Sequence, residues 1–301
     1  MGTPDFAIPC LQKLIDSEDE VIGVFANPDK PVGRKQILTA PPTKELAIKY
    51  DIPVFQPKTL KSEEAYKTIK QLSPDIIIVV AYGKILPKNI LDLPPLGCVN
   101  VHASLLPNYR GASPIQWSII CGEKTTGVST MYMAEGLDTG DILLQTSIKI
   151  DEDDTGGSLH DKLSIIGADL LIKTLEHLKA GKCTPKKQGE CNVYAPIINK
   201  EMGHLDFSKH ANALHNLVRG FNPWPSCYFI FNNKRIKVLK TKISNCTDAN
   251  IGSIKIIDDK PFIVCGDNKL LELVEICPEG KKIMSGKNAV LGRIITDGKA
   301  G

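Results

Sequence analysis

Three side chains have the types and the spacing to do chemistry on a carbonyl group. Asn100 and His102 stand two apart in Asn100-Val101-His102-Ala103-Ser104, where an apolar run ends, and Asp138 lies in the glycine-bracketed loop Glu135-Gly136-Leu137-Asp138-Thr139-Gly140-Asp141. Residues i and i+2 of an extended strand share a face, so Asn100 and His102 can point into one pocket. When an amine attacks a carbonyl carbon, the carbonyl oxygen becomes an oxyanion, and donors such as an amide and a protonated imidazole stabilise the charge that develops. The amine must lose a proton and the leaving nitrogen must gain one. A carboxylate can serve both transfers, directly or through a water, and can hold the histidine in its charged form. A deprotonated amine is already a competent nucleophile, and an α-amine sheds its proton near ~7.7–8.0, so the chemistry asks for a modest base and no metal. Taken singly, each segment reads as readily as structure, a histidine closing a strand and an acidic surface turn.

The elements around these residues place them where ligands bind. Val21 to Phe25, Pro53 to Phe55, Asp75 to Ala81 and Cys98 to Val101 are short apolar runs separated by helical patterns, which predicts a mostly parallel, open α/β sheet covered on both sides. Such sheets bind ligands beyond the carboxyl ends of their strands, and Asn100 and His102 lie at the end of the fourth run. A long helix is expected from Ser158, as N-cap with Asp161 at the capping-box position, to a stop at Gly181. Residues 181–203 carry turn residues without periodicity and read as a linker between a catalytic domain over 1–180 and a second domain over 204–301. In the second domain a helix from Ser208 to Arg219 precedes five closely spaced strand patterns, Cys227–Phe231, Arg235–Leu239, Gly252–Ile257, Phe262–Cys265 and Leu270–Ile276, which suggest a small β-barrel of the OB type. No glycine-rich dinucleotide or nucleotide-phosphate motif occurs.

Composition narrows the classes further. A chain of 301 residues fits two domains of ordinary size. Its longest apolar runs fall far short of the roughly 20 residues that span a bilayer, and its first residues lack a basic segment followed by an apolar core. The expectation is a cytoplasmic protein with no membrane partner. Nine cysteines without a C-x-x-C pair argue for reduced, mostly buried thiols rather than a disulfide framework or a zinc site. The net charge is +3. From His204 onward 15 Lys and Arg face 9 Asp and Glu, a surplus of six, against a deficit of three in the rest. That asymmetry suits a polyanion such as RNA as well as it suits a lysine-rich solvated face.

Taken together, Asn100-Val101-His102, Ser104-Leu105-Leu106-Pro107 and Leu137-Asp138-Thr139-Gly140 resemble the active site of the folate-dependent formyltransferase family. Further segments narrow the resemblance to its methionyl-tRNA branch: Gly2-Thr3-Pro4-Asp5-Phe6, Pro28 to Arg34, Val54-Phe55-Gln56-Pro57, Val80-Ala81-Tyr82-Gly83 and Phe221-Asn222-Pro223-Trp224-Pro225. Together they cover the chain from Gly2 to about Met284, and the last seventeen residues match poorly. The resemblance implies a 10-formyltetrahydrofolate co-substrate, a methionyl initiator tRNA acceptor, and Asn100, His102 and Asp138 as catalytic residues. It puts the pterin against Val79 to Leu86, with Ile85 and Leu86 forming a slot, and the rest of the folate beside Ser104, Leu105, Leu106 and Pro107. Arg110 could meet the anionic glutamate tail or serve structure. For tRNA the implied contacts are the loop Asp29–Thr43, with Lys30, Arg34, Lys35 and the adjacent Lys44, and the basic run Lys234, Arg235, Lys237, Lys240 and Lys242. A monomer is expected. The rivals are a sugar-nucleotide or glycinamide-ribonucleotide formyltransferase, a formyltetrahydrofolate hydrolase, and an inactive tRNA-binding module. Gly2-Thr3-Pro4-Asp5 resembles the turn leaving a first, central strand, yet only Met1 precedes it. Losing such a strand would unpair backbone groups at about 1–3 kcal/mol each and open a trench in the core. The working protein is therefore expected to begin upstream of Met1 with a short apolar strand.

Overall fold

The apolar runs of the N-terminal region become the strands of an α/β layer because both of their faces can be buried. The computed structural model describes residues 1–33 and 35–301. In chain order the strands of this region are β1 (Val24–Phe25), β2 (Lys30–Val32), β3 (Ile37–Thr39), β4 (Val54–Phe55), β5 (Ile77–Val79), β6 (Cys98–His102), β7 (Arg110–Gly111), β8 (Thr125–Tyr132), β9 (Ile142–Lys149) and β10 (Tyr194–Ala195). β1 pairs with β4 and β5 with β6, both parallel, as the runs predict. Beyond β6 the sheet turns antiparallel in the order β5-β6-β8-β9. The strands β8 and β9 carry no alternation in the sequence. Thr126, Ser129 and Thr130 are buried in β8; the Ser129 hydroxyl donates to the Ser104 carbonyl and the Thr130 hydroxyl meets that of Thr174 at 2.8 Å, which offsets their burial.

Met1 and Gly2 lie between the two parallel pairs. Gly2 N–H donates to the Phe25 carbonyl at 3.0 Å, Val80 N–H donates to the Met1 carbonyl at 2.9 Å, and the Met1 amine donates to the Ile78 carbonyl at 2.6 Å. Next to them, between Val21–Val24 and Ile76–Ile78, opens a cavity of about 740 Å³, lined also by Leu11, Val80 and Leu175.

A helix over Gly156–Lys179 starts two residues before the expected cap. Thr155 is the cap: its hydroxyl accepts from Ser158 N–H at 3.1 Å, and the Ser158 hydroxyl accepts from Thr155 N–H at 3.0 Å. The far end stops at Gly181, whose φ of 63° lets the chain leave the helix. Leu163, Leu170, Leu171 and Leu175 bury the helix's apolar stripe. Gly167 lets the helix approach β6 closely, since a Cβ there would sit 3.1 Å from Val101 Cγ1.

Two compact units divide the chain differently from the expected boundaries. The first comprises Met1–Gly111, Thr125–Ile148 and His160–Ala195; the second comprises Ala112–Lys124, Lys149–Leu159 and Pro196–Gly301. Residues 181–195, read as linker, belong to the first unit because β10 pairs in parallel with β7, Tyr194 opposite Arg110 and Ala195 opposite Gly111. The second unit holds an all-antiparallel sheet of β11 (Cys227–Phe231), β12 (Lys234–Thr247), β13 (Ser253–Ile257), β14 (Lys260–Val264), β15 (Lys269–Pro278) and β17 (Gly298–Lys299), in the order β11-β12-β15-β14-β13-β17, with β16 (Met284–Ser285) beside β15. β12 runs well past the predicted Leu239 because bulges after Val238 and Ser244 bend it around the core. The ends of the path meet: Ile230 N–H donates to the Gly301 carbonyl at 2.7 Å and Gly301 N–H returns a bond at 2.9 Å. This closes the curl into the barrel expected from the strand spacing. The last seventeen residues thus have a structural part, supplying a helix over Gly286–Leu291 and the closing strand β17. Phe221, Phe229, Leu273 and Ile276 fill the barrel core.

Candidate active site

β6 ends on His102, and the chain turns sharply behind it. Ser104 N–H returns to the His102 carbonyl at 2.9 Å, and the Ser104 hydroxyl donates to the Asn108 carbonyl at 2.8 Å. The turn is pinned from β8 and β9. Ser129 Oγ donates to the Ser104 carbonyl at 2.6 Å and accepts from Leu106 N–H at 3.1 Å, while Gln145 Nε2 donates to the Leu106 carbonyl at 2.9 Å and to Ser129 Oγ at 2.8 Å. Sequence reasoning misses Ser129 and Gln145. Neither lies in a recognisable motif, and polar residues on a sheet face give no periodic signal.

The imidazole of His102 is buried, and its Nε2 meets the Tyr109 carbonyl at 2.9 Å. A carbonyl can only accept, so Nε2 carries a hydrogen and Nδ1 is left facing the site. Nδ1 stands 3.7 Å from Asp138 Oδ2. Asn100 Nδ2 lies 3.5 Å from Asp138 Oδ1, the outer limit of a hydrogen bond. Gly111 N–H donates to Asp138 Oδ2 at 3.0 Å. The two strand-end residues and the loop acid therefore converge, with the Asn100 amide and His102 Nδ1 both facing the carboxylate. Asp138 itself sits at φ 52°, in the left-handed region that aspartate tolerates better than most residues. Gly111 has φ 121°, and a Cβ there would strike the Ala195 carbonyl oxygen. Only glycine can present its N–H to Asp138 in that place.

The residues expected along the folate divide by burial. Ile85 is 70% exposed, whereas the neighbouring Leu86 is packed in the core with Phe25, Ile77 and Tyr82. Ile85 thus presents an apolar face to solvent, while Leu86 packs inward. Ser104 and Leu106 are likewise buried, Leu106 against Met131 and Ile142, while Leu105 and Pro107 are half-buried. Arg110 is engaged within the protein: its guanidinium donates to Gln188 Oε1 through Nε at 2.9 Å and Nη2 at 2.8 Å, and to the Gly189 carbonyl at 3.0 Å.

Among the basic residues, Arg34 lies outside the described residues, and Lys35 is exposed beside the hairpin of β2 and β3. Lys44 is held at 2.9 Å by both oxygens of Asp29 and by Gln56 Oε1, which ties it to the base of the hairpin. Gln56 Nε2 also donates to Asp29 Oδ1 at 2.8 Å, and that bond first and the Lys44 bond next lower the Asp29 carboxyl from its ordinary value. On β12 Ile236 and Val238 point into the barrel, which leaves Arg235 and Lys237 exposed on the outer face beside Lys234. The Arg235 guanidinium lies over the Tyr228 ring, 3.4 Å from its centroid. Among the described residues no helix is long and apolar enough to cross a membrane.

Residues 1–175 match the formyl transferase family model, and residues 197–293 match the model of the formyl transferase C-terminal domain. The chain belongs to the formyltransferase family. A methionyl-tRNA formyltransferase of Clostridioides difficile is 49% identical to this formyltransferase over 99% of this chain and 97% of its own. One of Bacillus subtilis is 44% identical over 99% and 95%. A solved N-formyltransferase from Helicobacter canadensis, described in complex with folinic acid and dTDP-3-aminofucose, aligns with a TM-score of 0.68 at 21% identity, covering 90% of this chain and 96% of its own. At that identity the likeness is one of fold.

Proposed function

We propose that this formyltransferase moves the formyl group of 10-formyltetrahydrofolate to the α-amino group of methionyl-tRNA, with Asn100, His102 and Asp138 as its catalytic residues. The observation that carries the reading is the convergence of Asn100 Nδ2 and His102 Nδ1 on one carboxylate, at 3.5 and 3.7 Å. In the reaction the amine nitrogen bonds to the formyl carbon, whose oxygen becomes an oxyanion held by the Asn100 amide and by a hydrogen on His102 Nδ1. Asp138 takes the proton that the amine sheds, directly or through water. It is passed to the folate nitrogen as the carbon–nitrogen bond to the folate breaks. Formyl-methionyl-tRNA and tetrahydrofolate leave, with no net change in protons or electrons. The tautomer set by Tyr109 supports these roles by leaving Nδ1, not Nε2, toward the reacting groups.

The near full-length relationship to methionyl-tRNA formyltransferases supports tRNA as the acceptor. So does the exposed cationic run of Lys234, Arg235 and Lys237 at the start of β12. Lys35 and Arg34 complete the proposed contacts, in a cytoplasmic monomer. Incubation of the purified protein with labelled 10-formyltetrahydrofolate and either methionyl-tRNA, glycinamide ribonucleotide or an amino-sugar nucleotide tests the reading. Label should pass to methionyl-tRNA; transfer only to one of the small amines, or only to water, refutes it.

A further inference from the structure

The segment expected to link the domains runs as a strap across the active-site loops. At its start Lys186 and Ile142, the first residue of β9, exchange both backbone hydrogen bonds at 2.8 Å. Toward its end Asn192 N–H donates to Asn108 Oδ1 at 3.1 Å, Tyr109 N–H donates to the Val193 carbonyl at 2.6 Å, and β10 pairs with β7. Between these anchors Gln188 reaches the loop that carries Asp138. Its amide nitrogen donates to the Asp138 carbonyl at 2.9 Å and to the Gly140 carbonyl at 2.6 Å, which uses both of its hydrogens. Its oxygen accepts the Arg110 fork at 2.9 and 2.8 Å. One side chain thus joins the acid's own backbone to Arg110, and the residue after Arg110 donates its N–H to the Asp138 carboxylate.

We infer that Gln188 is a positioning residue for formyl transfer, holding the Asp138 loop so that the carboxylate faces His102 Nδ1 and Asn100. The loop needs such a hold. Asp138 is in the left-handed region, and Glu135, Gly136, Leu137 and Thr139 around it are exposed with little packing of their own. Positive charge from Arg110 polarises the Gln188 amide and strengthens the two bonds it donates. A catalytic group displaced by about 1 Å loses on the order of a hundredfold in rate. Loosening the loop should therefore act on the chemical step rather than on substrate binding.

The inference rests on the reading of Asp138 as the proton-transfer residue, and a mutant cycle in the full-length protein separates the two. Steady-state kinetics with 10-formyltetrahydrofolate and methionyl-tRNA should show Gln188→Ala lowering kcat roughly 10–100-fold, with both KM values within about threefold of wild type. Gln188→Glu has the same shape and keeps the Arg110 link, but it puts a carboxylate against the Asp138 and Gly140 carbonyls. It should lose kcat as severely, and it carries the test if the alanine variant does not fold. In an Asp138→Asn background, Gln188→Ala should slow turnover by no more than about threefold, since its effect passes through Asp138. Wild-type kcat in both Gln188 variants, a change confined to KM, or multiplicative losses in the double variant would overturn the inference. Wild-type turnover in Asp138→Asn alone would instead overturn the role of Asp138.

Discussion

Replacing Asp138 by asparagine keeps the shape of the side chain and removes its charge, and two separate losses follow from the geometry. The first is electrostatic. Once Nδ1 of His102 carries a hydrogen, the imidazolium stands 3.7 Å from Asp138 Oδ2. At an effective dielectric constant of about 20, that pair is worth about 4 kcal/mol, and the asparagine dipole recovers only part of it. The second is a shortage of acceptors. Asp138 offers one oxygen to Gly111 N–H and the other to the Asn100 amide. Asparagine has one oxygen, so in either rotamer its NH2 group faces another donor. A net loss of ~3 kcal/mol in the transition state corresponds to a turnover reduced by more than about a hundredfold. Because Gln188 holds the loop by the Asp138 and Gly140 carbonyls, which the substitution leaves in place, the melting temperature should change little. Rapid mixing of enzyme, labelled 10-formyltetrahydrofolate and methionyl-tRNA under single-turnover conditions, with circular dichroism on the same preparation, measures both. A folded Asp138→Asn enzyme transferring formyl within tenfold of the wild-type rate would refute the role given to the carboxylate.

Gly111→Ala should lower both turnover, by at least about tenfold, and the melting temperature, because alanine is strained at the φ of 121° and its Cβ meets the Ala195 carbonyl oxygen; a variant matching wild type in both would show that the close approach of β7 to β10 is not needed. In the second unit His215 has its pKa pushed down to about 4 by burial first and then by the Arg219 charge, against the opposing pull of Asp153 and Glu152, while its Nδ1 meets Thr241 Oγ1 at 2.9 Å. The unfolded chain then takes up a proton that the folded one refuses, so stability should fall as pH drops from about 6.5 toward about 4, by about 2 kcal/mol after allowance for solvent screening at this half-buried ring. Urea unfolding across that range should show a shallower loss for His215→Gln, and an unchanged slope would refute the assignment. Replacing Lys234, Arg235 and Lys237 together by alanine should raise KM for tRNA and reduce its logarithmic salt dependence by roughly 0.9 for each phosphate that is no longer neutralised, without changing KM for the folate; an unchanged salt dependence would remove these residues from the tRNA surface.

Periodicity carries what depends on burial. The parallel pairs β1–β4 and β5–β6 and the strands of the barrel are legible because their apolar residues recur along the chain. The antiparallel strands β8 and β9 are not, because buried Thr126, Ser129 and Thr130 interrupt any apolar pattern, and Ser129 and Thr130 are satisfied by partners far away in sequence. The thread between Arg110 and Ala195 escapes for a related reason. Backbone pairing of two-residue strands and one glutamine amide need no apolar spacing, so a segment such as Lys186-Lys187-Gln188-Gly189 looks the same whether it dangles or binds.

The site is legible in another way. Asn100 and His102 can be placed on one face from the two-residue period alone, but nothing in their spacing says that a loop much later in the chain will meet them. What brings Asp138 there is the loop between β8 and β9, which leaves β8 beside the start of β6, where Tyr132 lies opposite Val99, and folds back until the carboxylate faces Asn100 and His102. Register then matters: His102 pairs with Ser129, and Ser129 pins the turn behind the histidine. A slip of one residue would put Asn100 and His102 on the opposite face and withdraw the hydroxyl that shapes Ser104–Leu106. The polar residues buried in β8, which conceal that strand from periodicity, are thus among those that fix the register on which the site depends.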